Sequence, residues 1–517
     1  MKSPALYMQA PFRSQNPYSF KKDGQQYRKE NAYVFDFDPA RTLGIYEKFA
    51  NDLSPETAYV RGTADQVKEN VRTLLNFFPV IGEDVNGEMI ELDAEKVLSI
   101  PRKIRSAEVV KRGFMSDFLF QNIANVFHAP KEVIDIIKQF EAVDEPKAVI
   151  DIDEQTAEDL SIDENGEVNI PDNIIVGKCE SVFGQKIYGI YENLSSVVED
   201  IKTSKPAKVD DAVERLKNEF KTGAVETLIN AAKEEYGKDM TQADKTRLEN
   251  RTKKKADEKI ERVFGGYQRD KKVLEVQQKK EEEEAATEEA KKEGIKTFEA
   301  KKKKVEEKFH KDLTDVVDDL VQETGEDIVR TVETSKKEKE KNEIEDKVKD
   351  HLRGFTRTIP SFLMAYGDPI TPPRLETFDE IVPADIFKEV TSITLDQFKF
   401  LRDGGDYTDE NGETQHFNGN IFEPVVFDDS VREFMTKKDK LANYFDEKQT
   451  GDIFDYIPPQ KTNQIFTPKW VVKKMVDMLE EENPGCFDDP NKTFIDLYMK
   501  SGLYPAEIIK SLYQRPT

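Results

Sequence analysis

The sequence predicts a mainly α protein with small α/β pieces, and three observations support this fold class. The middle of the chain is dense in lysine and glutamate and has no proline over residues 279–313, which favours long helices. In the flanking regions, apolar residues recur every three or four positions, as on one face of a helix. Two short runs, AYVFDFD (32–38) and TFIDLYM (493–499), are typical of buried strands.

Length and composition limit the class of protein. A chain of 517 residues corresponds to about three or four folded units. No apolar run approaches the ~20 residues of a membrane span, and the N-terminal residues lack the apolar core of a secretory signal. The two cysteines, Cys179 and Cys486, are too few for a disulfide framework and fit a reducing cytosol. We therefore expect a cytoplasmic protein with no membrane partner.

The first 145 residues predict one short strand followed by helices. The strand is AYVFDFD (32–38). Helical spacing of apolar residues then covers YEKFANDL (46–53) and ADQVKENVRTLLNFF (64–78). A third helix is predicted over EVVKRGFMSDFLFQNIANVF (108–127), which is strongly apolar and amphipathic.

Residues 146–205 are acidic, and IDENGEVNI (162–170) predicts a hairpin around its Asn-Gly pair. A charged helical arm follows over residues 206–350. Within it, residues 211–350 contain 34 lysines and arginines against 38 aspartates and glutamates, a difference of −4. Acidic residues follow the lysine run at 301–304 directly and weaken a nucleic-acid role for it. The apolar positions of the arm recur at helical spacing: Phe298, Val305, Phe309, Leu313, Val316 and Leu320.

Beyond the arm, the chain returns to helices that proline and glycine interrupt. They are predicted over DHLRGFTRTIPSFLMAYGD (350–368) and ITLDQFKFLRDGGDYTDENGE (393–413). Composition and the positions of proline and glycine thus divide the chain into six segments: 1–45, 46–145, 146–205, 206–350, 351–457 and 458–517.

Most signatures of catalysis are missing from the sequence. It has no G-x-x-x-x-G-K-[ST] phosphate loop. The paired acids Asp36 and Asp38 lack the lysine-bearing pattern of a magnesium-dependent nuclease. We therefore predict neither a catalytic residue nor a metal site. The histidines lie too far apart in the sequence to suggest a zinc site: His128, His310, His351 and His416.

One exception lies near the N-terminus, in YMQAPFRSQNPYSF (7–20) and the strand that follows it. Gln9 and Arg13 are four residues apart and share one face of a helical turn, and the planar arginine cation suits phosphate. The stretch resembles the last motif of the second, RecA-like motor lobe of superfamily-two DNA helicases and translocases. The resemblance implies that residues 1–45 end such a lobe and that residues 46–145 form a helical motor-associated domain. It also implies that Gln9 and Arg13 reach ATP across the cleft between the two lobes.

The second exception is NQIFTPKW and the residues after it, up to position 513. A strand, a glycine-bearing turn and a helix that Pro505 can begin bring backbone amides within reach of a nucleotide-like ligand. Any α/β crossover shares this shape. The sequence adds FTP (466–468) and DLYMKSGLY (496–504), which together resemble the opening of adenine-specific DNA methyltransferases.

This second resemblance implies that residues 458–517 are the first strand and helix of a Rossmann-like methyltransferase domain. In the family, the F-T-P motif and the later glycine-bearing loop together form the S-adenosylmethionine site. By that resemblance, the residues of this chain that line the cofactor pocket are Phe466, Thr467, Asp496, Ser501 and Gly502.

The two regions together resemble an internal part of a bacterial restriction–modification enzyme, with residues 351–457 as a helical coupler. The resemblance implies double-stranded DNA as partner and S-adenosylmethionine and ATP with magnesium as cofactors. Because the phosphate loop and the Asn/Asp-Pro-Pro-Tyr/Phe methylation motif are missing, we expect a truncated chain that is inactive alone. Its further partners would be the missing motor and methyltransferase parts. The alternative is a non-catalytic helical scaffold or adaptor protein whose functional part is the charged arm.

Overall fold

A computed structural model describes most of the chain, and it is mainly helical. Helix accounts for 71% and strand for 6%, which confirms the mainly α prediction. Among the described residues, no helix combines the length and apolar character that a membrane span requires. The described residues are 4–54, 57, 64–83, 87–144, 150, 152, 155–163, 166–204, 208–284, 287–408, 412–443, 451–459, 467–489, 491–499 and 502–513.

Helices make up most of the described chain, with short strand pairs between them. The helices are α1 Pro4–Ser14, α2 Pro39–Asp52, α3 Ala64–Leu75, α4 Ala94–Lys111, α5 Lys131–Ile137, α6 Thr156–Asp159, α7 Asp172–Thr203, α8 Val209–Glu219, α9 Val225–Tyr236, α10 Gln242–Glu284, α11 Glu288–Thr356, α12 Ile359–Tyr366, α13 Phe378–Ile381, α14 Ala384–Thr391, α15 Leu395–Asp403, α16 Pro424–Leu441, α17 Lys469–Glu482 and α18 Leu503–Tyr513. The strands form three antiparallel pairs: β1 Ser19–Lys22 with β2 Gln25–Arg28, β3 Ile81–Glu83 with β4 Met89–Glu91, and β5 Gly405–Thr408 with β6 Thr414–Phe417.

The chain divides into two compact units. Unit 1 comprises Met1–Asp151 and Glu345–Thr517, and unit 2 comprises Ile152–Ile344. The six segments expected from the sequence are finer than this division and stay a prediction.

Helices α1 to α4 of unit 1 share one apolar core. Helix α2 begins where Asp38 caps it by accepting the backbone N–H of Arg41 at 3.1 Å, and Pro39 occupies its first turn. Its buried residues recur at helical spacing, as Leu43, Tyr46, Phe49 and Ala50. The helices predicted at 46–53 and 64–78 correspond to α2, which begins seven residues earlier at Pro39, and to α3, which ends three residues earlier at Leu75.

The two predicted strands are wrong. Residues 32–38 and 493–499 lie in irregular backbone and pair with no strand among the described residues. A strand forms only where a neighbour satisfies its backbone N–H and C=O groups, and a local apolar pattern does not supply that neighbour. The helix predicted after the second of these runs is present as α18.

The single helix predicted over 108–127 is also wrong. Helix α4 ends at Lys111 because Gly113 and Phe114 adopt φ angles of 60° and 66°, outside the right-handed helical region. The Phe114 side chain is fully buried and meets the ring of Phe434 at 6.0 Å. Short 3₁₀ turns continue the chain at Asp117–Leu119 and Ile123–His128. Packing of Phe114 therefore outweighs the helical periodicity here.

Buried phenylalanines form a second core of unit 1 around the end of α11. The ring of Phe355 lies 5.4 Å from that of Phe398, 5.6 Å from Phe422 and 6.1 Å from Phe387. The predicted helix over 350–368 is present as the end of α11 followed by α12. The one over 393–413 is confirmed only as α15, because β5 and β6 replace its second half.

Residues 140–144 cross the end of α11 at close range. His351 Nδ1 lies 2.6 Å from the carbonyl oxygen of Phe140, and Arg357 donates to Glu141 Oε2 at 2.7 Å. Gly354 occupies the crossing point: a Cβ there would lie 2.9 Å from the carbonyl carbon of Glu141 and still closer to its oxygen. This crossing therefore requires a residue without a side chain at position 354.

In unit 2, α10 and α11 run antiparallel and confirm the predicted helical character of this region, whereas the arm as a separate segment stays a prediction. Lys255 and Lys259 of α10 pair with Glu323 of α11 at 2.7 and 2.6 Å. Of the predicted apolar positions, Val305 and Val316 are partly buried, and three are fully buried in the core of the unit: Phe309, Leu313 and Leu320.

The hairpin expected at 162–170 appears as an antiparallel bridge between Ile162 and Val168. The backbone N–H of Asp163 donates to Glu167 O at 2.9 Å, and the N–H of Gly166 donates to Asp163 O at 2.9 Å. Asn165 lies outside the described residues. The local turn chemistry was thus sufficient to predict this reversal.

Candidate functional site

Helix α1 carries the first pair of predicted site residues. It is anchored by Met8, which is buried, and by Phe12, whose ring meets that of Phe78 edge-on at 4.6 Å. Gln9 and Arg13 are exposed and share one face, as their spacing requires. Within the described part of the chain, neither side chain has a hydrogen bond or an ion pair. Both are therefore available to a ligand.

The irregular segment after β2 is fixed to the helices at Asp36. Tyr7 donates its hydroxyl to Asp36 Oδ2 at 2.8 Å, and Arg41 donates to Oδ1 and Oδ2 at 3.1 and 2.9 Å. The backbone N–H of Asp38 donates to Oδ1 at 3.0 Å. Burial raises the pKa of Asp36, but these hydrogen bonds outweigh it and hold the pKa at about 2. The Asp36 carboxylate therefore holds this segment against α1 and α2.

We expect Asp36→Asn to destabilise unit 1 by about 1–2 kcal/mol at neutral pH. The folded-state pKa of Asp36 lies below the ~3.9 of an unfolded aspartate, so its contribution is complete above pH ~4 and is lost as the pH falls towards 2. Urea unfolding of both proteins between pH 7 and pH 2 measures this. The difference between them should shrink across the acid range. Asp52→Asn, at the exposed end of α2, is the control, and an equal loss there would contradict the assignment.

The second group of predicted site residues flanks α17 and α18. Thr467 lies two residues before α17, and Gly502 directly precedes α18. Asp496 lies between the two helices, and its Oδ1 accepts a backbone N–H two residues further on at 3.0 Å. The remaining two, Phe466 and Ser501, lie outside the described residues.

Two features of this group bear on ligand binding. Asp496 Oδ2 is buried and has no hydrogen-bond partner among the described residues, a state that costs about 1–3 kcal/mol for a polar group. Gly502 has a φ of 73° and nothing within 4 Å of the position of a Cβ, so a ligand can approach its backbone. No hydrogen bond joins Asp496 to Thr467 or Gly502 within the described chain. What Thr467 and Gly502 share is a position before a helix N-terminus, where anionic groups are favoured.

Both segments that were predicted to be strands expose the apolar side chains that a sheet would cover. Phe35 and Phe37 are 79% and 95% exposed, and Ile495, Leu497 and Tyr498 are each 82% exposed. Exposed apolar groups that cluster in this way are typical of surfaces that another protein part covers.

Sequence reasoning missed the hairpin of β1 and β2. Its signal is the Asp23-Gly24 pair, whose φ angles of 52° and 78° are those of a type I′ turn. Every residue of both strands is exposed. The rings of Tyr18, Phe20 and Tyr27 are stacked along this hairpin.

A cavity of about 570 Å³ lies in unit 1 beside Arg353. Arg353 donates to Asp117 at 2.8 Å and to Asp144 at 3.1 Å, so acids of the cavity wall already neutralise its cation. In the part of the chain that the structure describes, no three His, Cys, Asp or Glu side chains are grouped so that they could hold a metal ion. This cavity therefore offers no evident catalytic group.

Comparison of the chain with protein-family models, with curated proteins and with solved structures found no match. Function must therefore be inferred from the residues and surfaces described above.

Proposed function

We propose that this chain is part of a DNA restriction–modification enzyme that couples an ATP-driven DNA translocase to an S-adenosylmethionine-dependent adenine methyltransferase. Residues 7–38 and 463–513 resemble two motif regions of that family, and they occur in the family's order. The structural observation behind the proposal is the exposure of apolar side chains at both of these places, at Phe35 and Phe37 and again around Leu497.

The energetics of these side chains favour a covering partner. Burying a phenylalanine or leucine side chain contributes about 1.5–3 kcal/mol, so Phe35 and Phe37 would together stabilise a docked sheet by several kcal/mol. In the family, neighbouring strands of the motor lobe and of the methyltransferase domain would cover these two places. The proposed partners are therefore the remaining motor and methyltransferase parts, with double-stranded DNA as the substrate of the assembly.

The residues present supply one side of an ATP site. Gln9 and Arg13 lie free on the exposed face of α1, as a group that contacts ATP from a second lobe must. Phosphoryl transfer also needs a backbone cradle, a lysine and a held magnesium ion, and the sequence has no phosphate loop. These residues do not fit a complete ATP site, and we expect no DNA-stimulated ATP hydrolysis by the chain alone.

The residues around α17 and α18 fit part of an S-adenosylmethionine site. Asp496 would accept hydrogen bonds from the cofactor through its unpartnered Oδ2, and Gly502 would let the cofactor approach the backbone. The cofactor supplies the methyl group that the whole enzyme transfers to DNA. Thr467, two residues before α17, would contribute to the same site together with Phe466 and Ser501.

A helical scaffold or adaptor is the second candidate, and unit 2 is the observation that favours it. Helices α7 to α11 share one apolar core, and α10 and α11 are joined by cross-helix ion pairs such as Lys255 with Glu323. This core lies within unit 2 and includes no predicted site residue. Exposed apolar groups such as Phe37 and Leu497 also suit the docking surface of an adaptor, so the order of the two motif regions, and not this exposure, favours the first candidate.

Binding of S-adenosylmethionine to the full chain tests the proposal. We expect a dissociation constant of about 1 mM, or about −4 kcal/mol, because only part of the pocket is present. Saturation-transfer NMR measures affinities of this strength. Asp496→Asn should abolish the signal, whereas Asp477→Asn, a change at an exposed acid of α17, should leave it unchanged. Equal signals from all three proteins would contradict the assigned pocket.

Sequencing the DNA on both sides of the gene separates the two candidates. The proposal expects a phosphate loop and an Asp-Glu box upstream and an Asn-Pro-Pro-Tyr-type motif downstream. If neither side encodes these motifs, the scaffold interpretation replaces the proposal.

A further inference from the structure

The hairpin of β1 and β2 is exposed to solvent on both faces. Its register pairs Phe20 with Tyr27 and Lys21 with Gln26, and every strand residue is exposed. The backbone N–H of Lys29 donates to Tyr18 O at 2.8 Å, and its Nζ donates to the carbonyl oxygen of Ser14 at the end of α1. The hairpin is thus fixed at its base and contributes little to a core.

One face of the hairpin is a short aromatic stack. The rings of Phe20 and Tyr27 lie 5.6 Å apart with 19° between their planes, and those of Tyr18 and Phe20 lie 6.1 Å apart at 24°. Tyr18 is 62% exposed, and the other two rings are each 43% exposed. Side chains alternate between the faces of a strand, so Lys22 lies on the same face as the three rings.

The hairpin is locally basic in an acidic chain. Residues 18–29 contain four cations, Lys21, Lys22, Arg28 and Lys29, against the single carboxylate of Asp23, whereas the whole chain has a net charge of −25. Lys21, Lys22 and Arg28 have no ion pair among the described residues. Because charges more than about 8 Å away are largely screened at physiological salt, an approaching polyanion meets these cations first.

We propose that the aromatic face of this hairpin binds single-stranded DNA. Exposed aromatic rings on which unpaired bases stack, flanked by cations that meet the phosphates, are the two components of a single-strand binding surface. A four-residue strand spans about 13 Å, which suffices for two or three nucleotides. The choice of DNA over RNA rests on the proposed function, whereas the contact itself rests only on the hairpin.

Duplex DNA fits this face poorly. A two-stranded β-ribbon enters the major groove to reach base edges with polar side chains. Here the face presents the rings of Tyr18, Phe20 and Tyr27, and paired bases inside a duplex are already stacked on each other. An apolar protein partner on this face would leave Lys22 without a counter-charge.

Fluorescence anisotropy with a labelled oligothymidylate of about ten nucleotides tests the proposal on the full chain. We expect a dissociation constant on the order of 1–100 μM near physiological salt. Tyr18→Leu removes a ring outside the Phe20–Tyr27 pair, so the hairpin keeps its cross-strand contact, and binding should weaken about tenfold. Tyr188→Leu, at an exposed ring of α7, is the matched control and should bind as the wild type does.

A second variant tests the charges. Lys22→Gln, which removes the cation on the aromatic face, should lower the magnitude of the slope of log affinity against log salt by about 0.7, the contribution of one phosphate contact to a single strand. Lys473→Gln, at an exposed lysine of α17, is the control and should leave the slope unchanged.

Three results would overturn the proposal. These are unchanged binding by Tyr18→Leu, duplex binding as tight as that of the single strand, and tighter binding of an RNA of the same sequence. An abasic oligomer of equal length separates stacking from phosphate contact. The abasic oligomer should bind the wild type more weakly than the oligothymidylate does. Its dissociation constant should be the same for Tyr18→Leu and for the wild type. None of these outcomes depends on the S-adenosylmethionine measurement, so either proposal can be refuted without refuting the other.

Discussion

Replacing Gly354 by alanine is expected to destabilise unit 1 by about 3–5 kcal/mol. The new Cβ would overlap the carbonyl group of Glu141, whose carbon would be only 2.9 Å away. The backbone fixes the position of a Cβ, and the carbonyl of Glu141 is itself backbone, so neither can rotate aside. Residues 140–144 must therefore move away from α11. That movement would also break the contact of His351 with Phe140 O and the ion pair of Arg357 with Glu141.

Urea unfolding followed by circular dichroism measures the loss of stability. Amide exchange in the peptides that cover 140–144 and 350–357 shows whether it begins at the crossing. Gly44→Ala is the control within the same unit, because a Cβ there would meet only the end of the flexible Arg105 side chain. We expect that control to lie within about 1 kcal/mol of the wild type. An unchanged unfolding midpoint for Gly354→Ala would disprove the close approach.

Phe309→Ala is expected to destabilise unit 2 by about 3–5 kcal/mol. Phe309 is 3% exposed, and its ring stacks on that of Tyr267 at 4.2 Å and meets that of Phe264 at 6.1 Å. A cavity of about 230 Å³ already borders Phe309 and Tyr267. Removing the ring would enlarge this cavity, and the lost packing contacts with Tyr267 and Phe264 account for the expected cost.

The pKa of Tyr267 gives a second measure of the same change. Burial raises this pKa above its usual 10, and the charges of Glu306 and Glu275 add to the rise. With Phe309 removed, water reaches the phenol and the pKa should fall towards 10, which ultraviolet titration against the wild type detects. Phe298→Ala, at a half-buried position earlier on α11, should cost less than about 1 kcal/mol. Equal losses for both changes would contradict the stacking of Phe309 on Tyr267.

The helical part of this fold was largely predictable from local sequence. In α11 the spacing of Phe309, Leu313 and Leu320 marks the buried face, and dense charge marks the solvated face. Helix formation uses hydrogen bonds within one segment, so a segment contains most of the information that its own helix requires. The turn at Asp23-Gly24 was equally local, and its signal was available although the hairpin was missed.

The candidate sites were predictable only as residues, not as an assembly. Four-residue spacing places Gln9 and Arg13 on one face of α1, and this follows from helix geometry alone. Whether Thr467, Asp496 and Gly502 meet a common ligand depends on how α17, α18 and the segment between them are held. The unpartnered Oδ2 of Asp496 became visible only in three dimensions.

The sequence by itself thus determined the mainly α character, the faces of the long helices and the local turns, because each depends on residues close in the chain. Tertiary structure alone decided the rest. AYVFDFD and TFIDLYM are irregular because no described strand lies beside them, and a strand satisfies its backbone groups only through a neighbour. The apolar run at 108–127 breaks at Phe114 because burial against Phe434 stabilises the turn more than another helical turn would.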